Sequence, residues 1–428
     1  MISAAALLRA AVPLFLAMVT GLAGSLVVTS ALGRHDTVTL AAFAVMTAVL
    51  NPASTAVAGA LRGLGPFVAR YRDDPAAAVP VLRDARWLSL LVGALGAAAV
   101  LCVPLLAGAA GVPSEVVRAL GPLPWFLAAY LMVYAATGGA GTVLVALGRG
   151  REVLWASLAN TVVLVALTFA LVPSYGLTGV GVAWLLGGVA AAAVSALTLR
   201  RALGRPIGRG RPRPVWIARL ARVSLPLAAT VLIKFGVLGV VTFAAGTTSA
   251  RDAAAHAVLN ALSGVIMLAS LAVAQAAVPE VARASDAAGA RRVNGTAALL
   301  AVAGTGAGSL GLLVAGDLLL PLFSDDPAVR GRVLALLPLM LLAAALDAAQ
   351  AVHGMGLTAL RKSGVSLLFF AAGYGALVVA AVPVARTWGL TGLWAAVAVA
   401  NLVLFVLQGA GFRRHCARWR GEGAAGGA

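Results

Sequence analysis

The sequence has 428 residues, of which 61% are hydrophobic and 11% are charged, and its mean hydropathy is +1.00. This composition excludes an ordinary soluble globular protein and indicates an integral membrane protein with the lipid bilayer as its solvent. The formal net charge of +18 does not indicate nucleic acid as a partner, because the basic residues lie between long apolar runs.

The apolar runs predict an all-α membrane protein with twelve transmembrane helices. Each run is long enough to cross a hydrocarbon core of about 30 Å. The joints between adjoining runs are assigned from glycine, proline and charged residues, as in the GRGR sequence at Gly148 to Arg151. In chain order the runs lie at 5–30, 38–64, 87–108, 119–147, 152–172, 177–199, 216–246, 253–279, 296–321, 333–358, 364–384 and 389–412.

The distribution of Lys and Arg predicts the orientation of the helices. If the N-terminus and every second loop lie on one side, that side collects most basic residues, including the arginine-rich segment 200–222. The other side receives only Arg34, Arg118, Arg251, Arg330, Arg332 and Arg386. Because cytoplasmic loops carry the basic excess, we expect a multi-pass protein of the plasma or inner membrane with both termini in the cytoplasm.

The two halves of the chain match each other at a constant offset of 213 residues. Paired positions include Pro13 with Pro226, Gly33 with Gly246, Gly176 with Gly389 and Arg200 with Arg413. Six spans per copy make the repeats parallel, as in transporters that bind substrate between two lobes. We therefore predict an N-terminal six-helix lobe at 1–202, a basic cytoplasmic linker at 203–215, a C-terminal six-helix lobe at 216–414 and a cytoplasmic tail at 415–428.

Local sequences in both halves resemble the multidrug and toxic compound extrusion (MATE) family. In the second half these are LFSDDPAV at 322–329, LDAAQ at 346–350, the run AAH at 254–256 with Asn260, Ser263 and Gln275, and GLTGLW at 389–394. In the first half, LGR at 32–34 followed by LAA at 40–42 resembles the join of the first two helices. The rival major facilitator class would place a charged Gly-Arg-Arg turn where this chain has RYRDDP at 70–75.

The resemblance implies two six-helix bundles that form a V around a central cavity. It also implies export of a small-molecule substrate by alternating access, driven by a proton or sodium gradient. We expect a monomer that is not an enzyme and has no cofactor. A nucleotide-binding loop of the Gly-x-x-x-x-Gly-Lys-Ser/Thr type does not occur in the sequence, which disfavours direct ATP hydrolysis.

Two ionisable residues inside spans are candidates for coupling transport to an ion gradient. Asp347 is the only carboxylate deep in a span, and it matches the aspartate of the family's tenth helix. Lys234 stands where sodium-coupled members carry a glutamate, and Val28 stands where the family carries an aspartate in its first helix. These replacements favour protons over sodium. Because a lone charge in lipid is strongly penalised, we predict that Lys234 and Asp347 form an ion pair. The alternative to a coupling role for Asp347 is a purely structural one, as the partner of a buried basic residue.

Polar residues on other span faces are candidates for binding substrate. They are His256, Asn260, Gln275, Gln350, His353 and Arg62. Hydrogen bonding between helices is the alternative explanation for the histidines and amides, and snorkelling to the cytoplasmic edge is the alternative for Arg62. We expect no metal site, since His256 and His353 have no further ligands in the sequence.

Pro13 and Pro226 occupy equivalent places in the first helix of each copy. Proline permits a helix to kink, so they are candidates for bending during transport. Alternatively, Pro13 marks the first turn of its helix.

The sequence thus favours an antiporter that exports cationic or amphipathic organic compounds. Protons are favoured over sodium as the coupling ion. A flippase for lipid-linked saccharides from the same superfamily is the alternative within transport, supported by Arg62 and Lys234. The missing carboxylates also leave open a homologue that has lost transport.

Overall fold

The computed structural model describes residues 3–34, 36–208, 210–322 and 326–418. These ranges contain helices and their connections, and no strand. The residues Phe323, Ser324 and Asp325 of the predicted family motif lie outside the described residues, as do residues 419–428 of the predicted tail. Short 3₁₀ segments lie at Ala69–Tyr71, Pro75–Ala78 and Leu320–Leu322.

Fourteen α-helices make up the described ranges. They are α1 (Ala4–Gly33), α2 (Thr37–Arg62), α3 (Gly65–Val68), α4 (Val79–Leu101), α5 (Val103–Ala109), α6 (Ser114–Ala119), α7 (Leu123–Ala136), α8 (Ala140–Ala146), α9 (Gly150–Leu203), α10 (Pro214–Gly246), α11 (Ala250–Ala282), α12 (Ala287–Leu319), α13 (Pro327–Ala359) and α14 (Ser363–Ala417).

Helices α9 and α14 each contain two membrane spans. They have 54 and 55 residues, or about 80 Å at 1.5 Å per residue, which far exceeds a bilayer. Each is broken at one left-handed glycine, Gly176 (φ 50°) in α9 and Gly389 (φ 61°) in α14. The segments before and after each break are called α9a (150–175), α9b (177–203), α14a (363–388) and α14b (390–417). Since ten helical stretches in the described residues are long and apolar enough to span, dividing these two yields the twelve predicted spans.

The two segments of each broken helix run antiparallel. The site of a Cβ on Gly187 of α9b lies 3.0 Å from the carbonyl oxygen of Asn160 on α9a, and that on Gly179 lies 2.8 Å from the backbone of Leu171. In α14, Gly373 likewise packs against Leu404. Small residues therefore let these backbones approach closely, as expected where helices pack without a hydrophobic driving force.

The third predicted span is displaced along the chain. The prediction placed it at 87–108, whereas α4 begins at Val79 and ends at Leu101. Arg83, Asp84 and Arg86 occupy the first turns and lower the local hydropathy, so the start of the helix was hidden. Pro80 is compatible with this position, because the first turn of a helix needs no internal N–H donor.

The structural elements recur at the 213-residue offset. Helices α2 and α11 begin at the paired residues Thr37 and Ala250. Their paired N-cap residues, Asp36 and Ser249, each accept a hydrogen bond from the backbone N–H three residues on. Helices α9 and α14 begin at Gly150 and Ser363, which are paired in the same way. The duplication predicted from the sequence is therefore repeated in the helix boundaries.

One pair of equivalent turns differs in its side chain. Gly148 precedes α9 with φ 78°, and its partner Arg361 precedes α14 with φ 59°. Arg361 is the only non-glycine residue with positive φ among the described residues. A left-handed conformation costs an L-residue about 1–2 kcal/mol, so the second copy keeps this turn at an energetic cost that glycine avoids in the first.

Pro13 and Pro226 lie well inside α1 and α10, which begin at Ala4 and Pro214. The alternative interpretation of Pro13 as a first-turn residue is therefore wrong. Both helices continue through their prolines, and the predicted part of these residues in helix bending stays a prediction.

The chain divides into two compact units. The N-terminal unit comprises Val12–Val231, and the C-terminal unit comprises the residues before Val12 and after Val231. The predicted boundary at the linker 203–215 stays a prediction. In the C-terminal unit, α13 packs against α11, α12 and α14, and one apolar core connects α10, α11, α13 and α14. This central position of α13 places the side chains of its inner face out of contact with lipid.

Candidate functional site

The side chains of Lys234 on α10 and Asp347 on α13 form the predicted ion pair. The Lys234 ammonium nitrogen lies 2.9 Å from both carboxylate oxygens of Asp347. The Asp347 side chain is 5% exposed and that of Lys234 is 27% exposed. Each charge thus compensates the other in a region where an isolated charge would be costly.

A chain of side-chain amides continues from Asp347 into the C-terminal unit. Gln350 Nε2 donates to Asp347 Oδ1 at 2.8 Å, and Gln408 Nε2 lies 3.4 Å from Gln350 Oε1. Ser366 Oγ donates to Gln408 Oε1 at 2.9 Å. Gln350, Gln408 and Ser366 are all buried. The chain fixes the orientation of the carboxylate and joins α13 to both segments of α14.

A second buried pair supports the backbone beside Asp347. Tyr374 OH donates to Asn401 Oδ1 at 3.0 Å, and Asn401 Nδ2 donates to the carbonyl of Ala343, one turn before Asp347, at 3.0 Å. The sequence reasoning missed Tyr374, Asn401, Gln408 and Ser366. Amides and hydroxyls inside a span are visible in the sequence and could have marked these residues. The antiparallel pairing that brings them to α13 is not visible in the sequence.

A small cavity in the C-terminal unit adjoins the ion pair. Lys234, Asp347, His256, Asn260 and Trp394 are among its lining residues, and its volume is about 60 Å³. One water molecule occupies about 10–15 Å³ of such a volume, so the cavity can hold a few waters beside the charges. It is smaller than the cavities that enclose drug-sized ligands.

His256 and Trp394 present polar atoms without partners at this cavity. The His256 Nε2 atom lies 3.2 Å from Thr242 Oγ1, and its ring centroid lies 5.7 Å from that of Trp394. His256 Nδ1 and Trp394 Nε1 are buried and have no hydrogen-bond partner. Buried polar atoms are rarely left unpaired, and these two atoms are not accessible to solvent in this conformation.

The structure does not bring the other predicted residues to this site. His353 contacts Asn294, whose Nδ2 lies 2.7 Å from His353 Nδ1, and its ring centroid lies 5.5 Å from that of the tilted Phe405 ring. Gln275 does not line the cavity, although its buried Nε2 has no hydrogen-bond partner. Arg62 belongs to the N-terminal unit, at the end of α2. These contacts agree with the alternative interpretation of His353 as a residue that bonds between helices, and its part in binding substrate stays a prediction.

Two of the three carboxylates expected from the family resemblance are absent, because Lys234 and Val28 stand in their places. Val28 is fully buried in the apolar core of the N-terminal unit. Within the described ranges, no three His, Cys, Asp or Glu side chains come together as a metal site would require.

Comparisons with known proteins agree with this architecture. No family model matches the sequence. A probable multidrug resistance protein NorM from Xanthomonas campestris pv. campestris is 29% identical over 413 residues, which cover 89% of this chain and 88% of the relative. The structure of the Vibrio cholerae MATE transporter VcmN in its bent form superimposes with a TM-score of 0.83 at 16% identity, covering 97% of each chain.

A transporter of the MOP superfamily from Pyrococcus furiosus, described as having a binding pocket of reverse polarity, superimposes with a TM-score of 0.87. The sequence identity is 17%, and the match covers 96% of this chain and 95% of that one. The chain is similar in sequence to probable multidrug resistance proteins and shares its fold with MATE transporters. Its long apolar helices indicate a multi-pass membrane protein.

Proposed function

We propose that the chain is a secondary active antiporter that exports organic compounds in exchange for protons. The observation that carries the proposal is the Lys234–Asp347 pair, with a buried carboxylate and a partly buried ammonium, on the wall of a cavity. The similarity to multidrug resistance proteins supports export. We also propose that the protein acts as a monomer and has both termini in the cytoplasm, as the basic loops indicate.

The charge of the pair provides a basis for exchange. With Asp347 ionised, Lys234 and Asp347 together are neutral, and a cationic or amphipathic compound can approach the pair. When a proton binds an oxygen of Asp347, the pair acquires a charge of +1 and the ammonium loses its partner. A cation is then repelled at short range in a medium of low dielectric constant. Proton and cationic substrate therefore exclude each other, which is the condition for antiport.

Sodium fits this site poorly. The Lys234 ammonium already contacts both oxygens of Asp347, and a sodium ion would have to bind beside that cation. Protonation of Asp347 needs no additional ligands, so the geometry favours protons as the coupling ion.

Transport by reconstituted protein tests the proposal. Proteoliposomes with an imposed proton or sodium gradient are given a panel of cationic, neutral and anionic fluorescent compounds. We expect flux with the proton gradient and its loss in Asp347→Asn, while exchange of labelled for unlabelled substrate without a gradient persists. Asp252→Asn is the matched control, because it removes the carboxylate of the Arg332–Asp252 pair near the N-terminal ends of α11 and α13. Flux driven by sodium alone, or gradient-driven flux in Asp347→Asn, would contradict the mechanism.

Export or flipping of an anionic or lipid-linked compound is the second candidate. It is favoured by Lys234 in place of a carboxylate and by the resemblance to the P. furiosus transporter, whose pocket is described as having reverse polarity. In the same assay, flux of anionic compounds without that of cations would favour this candidate. An absence of flux for every compound would favour a homologue that has lost transport.

A further inference from the structure

A cavity in the N-terminal unit lies beside two arginines that the transport proposal does not use. Its volume is about 230 Å³, and its lining includes Arg86 on α4, Arg200 on α9b and Ile207 in the linker. Arg86 lies two turns after the start of α4, and Arg200 lies in the last turn of α9b. Both are therefore at the end of the helices where the basic linker begins.

The two arginines are available to an external ligand. Neither forms an ion pair or hydrogen bond with a described residue, and both are exposed. The carboxylate nearest in sequence, Asp84, is already bound by Arg213, whose Nη2 and Nε lie 2.6 and 3.0 Å from Asp84 Oδ2. The cavity thus presents two cationic groups without a neutralising acid, which favours an anionic ligand.

The surroundings are suited to a lipid. Leu82 and Leu199 give the cavity an apolar wall. Along α9b, Leu197 and Val189 lie on the same helix face as Arg200, and their side chains are 49% and 43% exposed. Trp87 is exposed, and its Nε1 donates to the carbonyl of Gly210 in the linker at 3.1 Å. An indole with one polar contact is typical of the membrane–water interface, so the cavity lies at headgroup depth with apolar side chains extending from it.

We propose that this cavity binds the phosphate of an anionic phospholipid, with Arg86 and Arg200 as its ligands and an acyl chain along the exposed side chains of Leu197 and Val189 on α9b. Basic pockets between transmembrane helices on the cytoplasmic side have the chemistry to bind such headgroups. The site belongs to the first copy alone, because the residue paired with Arg86 at the 213-residue offset is Leu299.

Binding to the purified, delipidated protein in detergent micelles tests the proposal. Native mass spectrometry would compare binding of phosphatidylglycerol with that of added phosphatidylcholine. We expect a preference for phosphatidylglycerol, weakened about fivefold by Arg86→Gln or Arg200→Gln and about 30-fold by the double variant. The single variants keep the test open if the double variant does not fold, and unchanged melting in the same micelles confirms folding.

The double variant Arg83→Gln/Arg201→Gln is the matched control. It removes the same charge at the same end of the helices, but neither side chain lines the cavity. Binding as weak in this control as in the Arg86→Gln/Arg200→Gln variant would overturn the site in favour of diffuse surface attraction. Protection against heat by inorganic phosphate as strong as that by phosphatidylglycerol would show a site for a free anion and would overturn the lipid assignment. No preference between the two lipids would also overturn it.

Discussion

Removing the charge of Lys234 alone should destabilise the protein more than removing both charges of the Lys234–Asp347 pair. Lys234→Met leaves a carboxylate that is 5% exposed with Gln350 as its remaining side-chain donor. Breaking a buried pair in this way costs about 3–5 kcal/mol. Asp347→Asn leaves an ammonium that is 27% exposed and can regain hydration, so we expect the lower figure of about 2 kcal/mol.

The double variant Lys234→Met/Asp347→Asn has no charge at the site, and its loss should be smaller than that of Lys234→Met alone. The expected coupling energy in this double-mutant cycle is about 2–3 kcal/mol. The assay is the free energy of unfolding of each variant in mixed micelles, with the denaturing detergent as the titrant. Arg332–Asp252 is a matched control pair, with Nε and Oδ1 2.9 Å apart and side chains that are 34% and 19% exposed. Its coupling should be below about 1 kcal/mol.

Losses that simply add, or equal coupling in the two pairs, would refute the reasoning. Additive losses would mean that the 2.9 Å contacts contribute no energy beyond what each residue contributes separately. In that case the proposed exchange mechanism would lose its electrostatic basis.

Three further substitutions test other parts of the structure. Gly354→Ala should lower the free energy of unfolding by about 1–3 kcal/mol, because the added Cβ would lie 2.8 Å from Gln408 Oε1. Gly331→Ala in the same helix is the control, because its Cβ would meet open space. It should leave the free energy of unfolding unchanged or raise it in the same assay. Arg361→Gly should stabilise by up to about 1 kcal/mol by removing the strain of a positive φ, and an unchanged or lower stability would contradict this. Hydrogen bonds from the first turn of α2 lower the pKa of Asp36 below its ordinary value of 3.8. Its stabilising effect is therefore complete at neutral pH and lost as the pH falls through the lowered pKa, so the melting difference between wild type and Asp36→Ala should vanish in acid.

The spans and the duplication could be predicted from the sequence because lipid imposes a length and a composition on every helix. Glycines such as Gly176 and Gly389 marked the joints correctly. The start of α4 was misplaced because Arg83, Asp84 and Arg86 interrupt the apolar run, and hydropathy alone cannot tell a charged first turn from a loop.

Site residues could be predicted only where the residue type itself was unusual for its position, as an ionisable group inside a membrane span is. Lys234 and Asp347 were found because each is an ionisable group inside a span, and the cost of two such charges predicts that they meet. Gln408 and Asn401 contribute equally to the geometry, but polar residues within a span are ambiguous until their partners are known. His353 contacts Asn294 and does not line this cavity, so its predicted part in binding substrate stays a prediction.

The breaks at Gly176 and Gly389 have a further consequence. Each reverses the chain within a single residue of non-helical conformation, so the two segments of each hairpin share one short pivot. Such a pair can tilt together, but neither segment can slide past the other without unwinding a turn. Peptide tags inserted at these corners should therefore disturb both helices, and accessibility labels are better placed in the connection between α10 and α11.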